Sequence, residues 1–375
     1  MTLTTDRGDA ARFPRLLYAA NFVFGDADLR VHYGQKPVEN AVFIPRKSEL
    51  LFQTGTRPVP PPRDLSDLLF SVFYFLTEYD CVSGAVGADA HARYRDDERT
   101  AVRNGWTNFP FLDAEIMKFI RKKNNFELVP TLDIDGPWKY KHKPAWVRWA
   151  GMLKGDWAGR LHVEFGGRDP YDAWDVVRSF PANTTLFWLL AGRSPHDVRY
   201  RPGQRAVRKL LRSLDFEAGI HPSYRAAFSP KMLADETRAL ADAAGRSVKK
   251  CRMHFLRYRL PDTRRAMVAA GVEEDYTTCM PARAGFKHGT ARPFRWYDVE
   301  RDEVTALTLV PTLWMDRTFL DYEKLDVETA KRRANQLIAR ARNVGGRAAV
   351  LIHPPSLAGA DEWNGWRSLT DGLFA

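Results

Sequence analysis

Asp133-Ile134-Asp135-Gly136 closes an apolar run that begins at Leu128. Three histidines stand at comparable places: His221 ends the run Glu217 to Ile220, His254 follows Val248 to Met253, and His353 follows Arg347 to Ile352. Carboxylate oxygen and imidazole nitrogen together suit zinc and similar divalent ions that keep one coordination position open for water. The same groups, left unligated, move protons as general acids and bases. Spaced i, i+2 and freed from the strand by Gly136, both aspartates can enter one pocket, one as ligand and the other as base. A lone DxD is a common loop motif and a lone histidine is commonly structural. The recurrence at successive strand ends, where a barrel keeps its chemistry, is what points to a site.

The elements that must position these groups follow from the patterning. From Glu127 onward, short apolar runs alternate with amphipathic segments, as in repeated βα units around a parallel sheet or barrel. Strands are expected at Leu128 to Ile134, Thr184 to Leu190, Glu217 to His221, Val248 to Met253, Ala306 to Val310 and Arg347 to Ile352. Helices are expected at Pro202 to Leu214, Pro230 to Ala244, Pro261 to Ala270 and Val327 to Arg342, several opening on a proline, which suits a first helical turn. Before this region lie β-like runs at Leu16 to Phe24 and Ala41 to Ile44, and a proline cluster, Pro58 to Pro62, that reads as a loop. A helix capped by acidic residues from Asp64 follows, then one from Phe111 to Lys122 whose basic end, Arg121-Lys-Lys, suits the helix dipole. The 375 residues therefore divide into a smaller N-terminal α/β domain, 1–125, and a larger one, 126–375.

Composition narrows the function classes. The net charge of +11 favours an anionic partner, and its densest stretch, Arg199 to Arg212, reads as a helix with one basic and one apolar face. No nucleic-acid-binding module accompanies it, so specific nucleic-acid binding is not expected. Cys81, Cys251 and Cys279 form neither a CxxC pair nor a disulfide framework, and reduced thiols are expected. No apolar leader or membrane-length run occurs, which favours a cytoplasmic protein. A GxSxG elbow, a P-loop, an HExxH helix and a dinucleotide fingerprint are all missing.

The segments Thr131-Leu-Asp-Ile-Asp-Gly, Gly219-Ile-His-Pro-Ser-Tyr, Cys251-Arg-Met-His-Phe-Leu-Arg and Leu351-Ile-His353 resemble, in order, motifs of the polysaccharide deacetylases. These are carbohydrate esterases of family 4, the NodB-homology type. Gly285-Phe-Lys-His-Gly-Thr-Ala-Arg-Pro-Phe and the stretch Trp363 to Trp366 resemble a bacterial subgroup with an extra N-terminal domain of unknown function. The resemblance implies a distorted (β/α) barrel of about seven strands that hydrolyses N- or O-acetyl groups on a polysaccharide or lipid-linked saccharide with a divalent metal ion, zinc by preference. Asp133 would then be the general base, Asp135 and His221 metal ligands, Arg252 an orienting arginine and His353 the general acid. The pattern's second histidine falls at Arg225, which cannot ligate. His254 is the replacement candidate, as ligand or as substrate contact. The roles of Asp133 and Asp135 are interchangeable on this evidence, and a catalytically inactive glycan-binding relative is the alternative. His288 and Arg292 could lie in a loop over the site; Asp89 and His91 read as an exposed loop rather than a second site, and Tyr276 reads equally as structural or functional. The sequence leaves the oligomeric state open.

Overall fold

The computed structural model describes residues 1–375 apart from 26, 121–124, 144–146, 148–156, 193, 199 and 375. Near the N-terminus, β1 (Thr2–Thr5), β2 (Arg30–Gly34) and β3 (Val42–Pro45) form a parallel three-stranded sheet. The run expected as β-like at Leu16 to Phe24 is instead a helix, α1 (Pro14–Phe24). Pro14 occupies its first turn, and Leu16, Ala19, Ala20 and Val23 are buried at helical spacing, so period decided over composition. Asp67 caps α2 (Leu68–Leu76), accepting from the Phe70 amide, and all nine α2 residues are buried. The next expected helix appears as α3 (Phe111–Ile116); the basic run 121–124 lies outside the described residues.

The rest of the chain builds one sheet from β4 (Phe126–Ile134), β5 (Thr185–Trp188), β6 (Glu217–Ile220), β7 (Lys250–Cys251), β8 (Glu274–Asp275), β9 (Phe294–Asp298), β10 (Glu303–Leu309), β11 (Thr312–Met315) and β12 (Gly346–Ile352). Their order is β11-β12-β4-β5-β6-β7-β8-β10-β9, all parallel except the β10–β9 pair. Among the described residues nine strands form this sheet, against an expectation of about seven, and the edge strands β11 and β9 do not pair, so the sheet is open there. β8 has only two residues, and β11 follows β10 after Val310-Pro311, too closely for periodicity to separate them.

Register fixes where side chains emerge. Asp133 pairs with Phe187, Phe187 with Gly219, Ile220 with Cys251, and Ile352 with Leu132. Parallel strands in this register end together, so Asp135, His221, Arg252 and His353 leave the sheet on one rim. The connecting helices include α4 (Arg205–Arg212), α5 (Pro230–Ala244), α6 (Asp262–Ala269) and α7 (Val327–Val344). α4 buries Val207, Leu210 and Leu211 and exposes Arg205, Arg208, Lys209 and Arg212, as its pattern predicts; Arg199 lies outside the described residues. Ser229 and Asp326 cap α5 and α7 by accepting backbone N–H bonds. No helix among the described residues is long and apolar enough to cross a membrane.

The early segment and the large sheet share one hydrophobic core, in which the rings of Tyr18 and Phe73 lie 5.0 and 5.2 Å from that of Tyr297. Ion pairs cross the same contact: buried Glu78 meets Arg264 at 2.6 Å and Lys287 at 3.1 Å, and within its own segment Arg99 at 2.9 Å. A buried carboxylate persists only with such partners. Gly285 lets the chain press against this seam, because a Cβ there would stand 2.3 Å from the Thr107 carbonyl oxygen.

Candidate metal centre and catalytic pocket

Asp133 is the last but one residue of β4, buried, and held by Arg252, which lies just beyond β7. Arg252 donates from Nη1 to Asp133 Oδ1 at 2.7 Å, from Nη2 to Thr131 Oγ1 at 2.7 Å and from Nε to the Tyr276 carbonyl at 3.1 Å. Its guanidinium also lies 4.6 Å from the centre of the Phe187 ring. Three bonds and a stacking face fix the plane of the guanidinium, which grips Asp133 through Oδ1, a geometry a lysine cannot reproduce.

Asp135, His221 and His254 converge, with one ligand atom from each inside a 4.8 Å sphere of mutual distance. His221 Nδ1 donates to the Arg252 carbonyl at 2.6 Å, which leaves the lone pair on Nε2. That Nε2 stands 3.3 Å from Asp135 Oδ1, and His254 Nε2 stands 3.6 Å from the same oxygen. Ligand bonds of about 2.0–2.1 Å in tetrahedral geometry place donor atoms roughly 3.3 Å apart, so the spacing suits a zinc-sized ion. Asp135 Oδ1 is buried without a hydrogen-bond partner, which is what a ligand oxygen needs and a structural carboxylate avoids. Burial alone would raise the Asp135 pKa; the imidazoles of His254, His221 and His353 outweigh it and hold the carboxyl well below the usual range. At His221, burial works against the charged ring, while Asp133 and Asp135 raise its pKa overall. Arg225 is exposed and stands outside this group, whose second imidazole is that of His254.

His353 follows β12 and faces the triad from the far side, with Nε2 3.8 Å from Asp135 Oδ2. Asp316, directly after β11, holds it by accepting from His353 Nδ1 at 2.6 Å and from the His353 amide and Ser356 Oγ at 2.7 Å each. Burial disfavours the imidazolium, but Asp316 outweighs it with help from Asp135 and Asp133, and the His353 pKa is pushed up to about 9. The ring is therefore protonated at neutral pH.

These groups line a cavity of about 300 Å³, with Phe255, Met315, Tyr322 and Arg93 among its other walls. Arg93 comes from the N-terminal segment, pairing with Asp89 at 2.7 Å and donating to Tyr322 Oη at 3.2 Å. Phe255 and Leu256 sit at φ of 60° and 54°, a left-handed excursion that turns the chain sharply after His254. His288 and Arg292 are not over the cavity: His288 is buried 3.4 Å from Glu78, and Arg292 pairs with buried Asp113 at 2.8 Å. Tyr276 is buried and donates to Glu274 at 2.9 Å, while Asp89 accepts from its own loop, including the His91 amide at 2.8 Å.

All six residues singled out in the sequence, Asp133, Asp135, His221, Arg252, His254 and His353, thus meet at one rim. Asp316 and Arg93 were missed. For Asp316 a signal existed, since it ends the apolar run Leu313-Trp314-Met315 as His353 ends its own. Nothing in the sequence marks Arg93, whose place depends on how the first segment folds back.

No family model matches this chain, and no curated protein matches it. Among solved structures, one described as a putative polysaccharide deacetylase from Mycobacterium smegmatis is similar at 14% identity, covering 68% of this chain and 85% of that one, with a TM-score of 0.41. Puue allantoinase is similar at 13% identity, covering 62% of this chain and 79% of its own, with a TM-score of 0.37. Likenesses this distant do not bear on the reaction.

Proposed function

We propose that this protein is a metal-dependent hydrolase that removes an acetyl group, from nitrogen or oxygen, on a saccharide of a polysaccharide or lipid-linked precursor. The observation that carries the reading is the unpartnered Asp135 oxygen facing two imidazole nitrogens, with a carboxylate (Asp133) and a protonated imidazole (His353) on the same cavity. Asp135, His221 and His254 would hold the ion, and zinc suits their chemistry. A divalent ion held by these residues would supply Lewis-acid chemistry, polarising the acyl carbonyl and acidifying a water. Asp133, fixed by Arg252, takes the proton of the attacking water. His353, charged at neutral pH and oriented by Asp316, delivers a proton to the departing amine or alkoxide. The small cavity suits a single acylated sugar unit, and the segment carrying Arg93 would shape its mouth. The saccharide class rests on the motif resemblance rather than on the pocket.

Elemental analysis of protein purified without added metal tests this directly. About one equivalent of a divalent ion, lost in His221→Ala and His254→Ala and kept in Arg225→Ala, is the expected result. Acetate release from acetylated oligosaccharides should follow the same pattern. No metal in the wild type, even after reconstitution, would overturn the hydrolase and leave a glycan-binding relative.

A further inference from the structure

His254 reaches the candidate metal centre from a strand end where the resembling motifs place no ligand, so something must aim its ring. Its Nε2 faces Asp135, while its Nδ1 is buried with no hydrogen-bond partner. An orphaned buried nitrogen costs about 1–3 kcal/mol, so a stable arrangement should supply an acceptor. Nδ1 faces Asp197 Oδ1 at 3.7 Å, on the side away from Asp135.

We propose that Asp197 is a positioning residue for His254, gripping Nδ1 so that Nε2 presents its lone pair to the ion; the proposal rests on the reading of Asp135, His221 and His254 as a metal centre. The Asp197 side chain is 1% exposed and is anchored independently of the ring. Its Oδ1 accepts from the Tyr224 amide at 2.7 Å and its Oδ2 from the Ser194 amide at 2.8 Å. Backbone is cleared for it at Gly192, φ +92°, where a Cβ would lie 2.3 Å from Asp197 Cγ and 2.7 Å from Ser223 Cβ. The carboxylate is thus seated first, and the ring needs a movement of less than about 1 Å to reach hydrogen-bond length.

The two imidazoles then share one plan. His221 is held from behind by the Arg252 carbonyl and His254 by a carboxylate, and each directs Nε2 forward. A carboxylate behind a ligating imidazole fixes the tautomer and strengthens the donor. Ser223 and Tyr224 gain a reason as well: Ser223 bonds Glu236 through its amide at 2.7 Å and its hydroxyl at 2.5 Å, and the Tyr224 amide holds Asp197. The turn after His221 would steady the partner of the other histidine.

The test compares full-length wild type with Asp197→Asn, which keeps the shape and an acceptor oxygen for the Tyr224 amide but loses the charge. Zinc affinity is measured by competition with a chromophoric chelator, cobalt(II) absorption reports the ligand geometry, and the metal-free proteins are melted alongside. The expected result is a folded variant with a lowered melting temperature, because the Ser194 amide loses its acceptor, together with affinity lower by about 10–100-fold and an altered cobalt spectrum. Unchanged affinity and spectrum in a folded variant would overturn the proposal, whatever its melting temperature. Should the variant fail to fold, nitrogen-15 NMR of zinc-loaded wild type decides: protonated Nδ1 with zinc on Nε2 supports the role, and the reverse tautomer ends it. Wild type that binds no zinc would instead bring down the metal-centre reading itself.

Discussion

Replacing Asp316 by asparagine removes the charge that keeps His353 protonated, and the size of the effect follows from the contact. Asp316 is fully buried and 2.6 Å from His353 Nδ1. Raising the His353 pKa from an ordinary 6.5 to about 9 corresponds to roughly 3 kcal/mol in favour of the imidazolium. Because the folded-state pKa lies above the unfolded one, this stabilisation is fully present below pH 6.5 and is lost as pH rises through about 9. Asp316→Asn should therefore cost roughly 3 kcal/mol more at pH 6 than at pH 10. Urea denaturation of metal-free wild type and variant at both pH values gives that difference, and groups common to the two proteins cancel. Histidine NMR gives the second readout, with the His353 titration falling from about 9 toward or below its ordinary value. A variant whose His353 still titrates near 9, or whose cost is the same at both pH values, would refute the assignment of Asp316 as the dominant charge.

Arg252→Ala should destabilise the fold by about 3–5 kcal/mol, because it strands a buried Asp133. Arg252→Lys should recover only part, since one ammonium cannot span Asp133, Thr131 and the Tyr276 carbonyl. Urea melts check both, and an alanine variant within about 1 kcal/mol of wild type would mean that Asp133 is solvated as the chain relaxes. At Gly285, φ +148° with a Thr107 carbonyl in the way, alanine should cost more than the roughly 1–2 kcal/mol of left-handed strain expected at Gly271, φ +78°, where nothing lies within 4 Å. Thermal melts of the two alanine variants give the comparison, and equal costs would show that the seam can yield.

Much of the scaffold was legible because its signals are local. The α5 bounds, Pro230 to Ala244, follow from a capping serine, a first-turn proline and a terminal glycine, all adjacent in sequence. The strands carrying Asp133, His221 and His353 were legible as apolar runs broken by one chemically distinctive residue. Leu16 to Phe24 misled because β-favouring side chains occur there at helical spacing, and burial of one helical face decided the outcome. The division at residue 125 rests on pattern, and the packing on either side of it is continuous.

By itself, then, the sequence determined which residues could ligate or carry protons and that parallel strands would bring them to a common rim. Tertiary structure decided their partners. His254 stands beside His221 because β7 ends next to β6, Arg252 reaches back across two strands to Asp133, and Asp316 meets His353 because β11 lies beside β12. Arg93 reaches the cavity from the early segment and meets Tyr322, 229 residues along the chain. Such contacts join residues distant in sequence, and their energies depend on burial and on distances of a few ångströms, quantities that local composition and period do not encode.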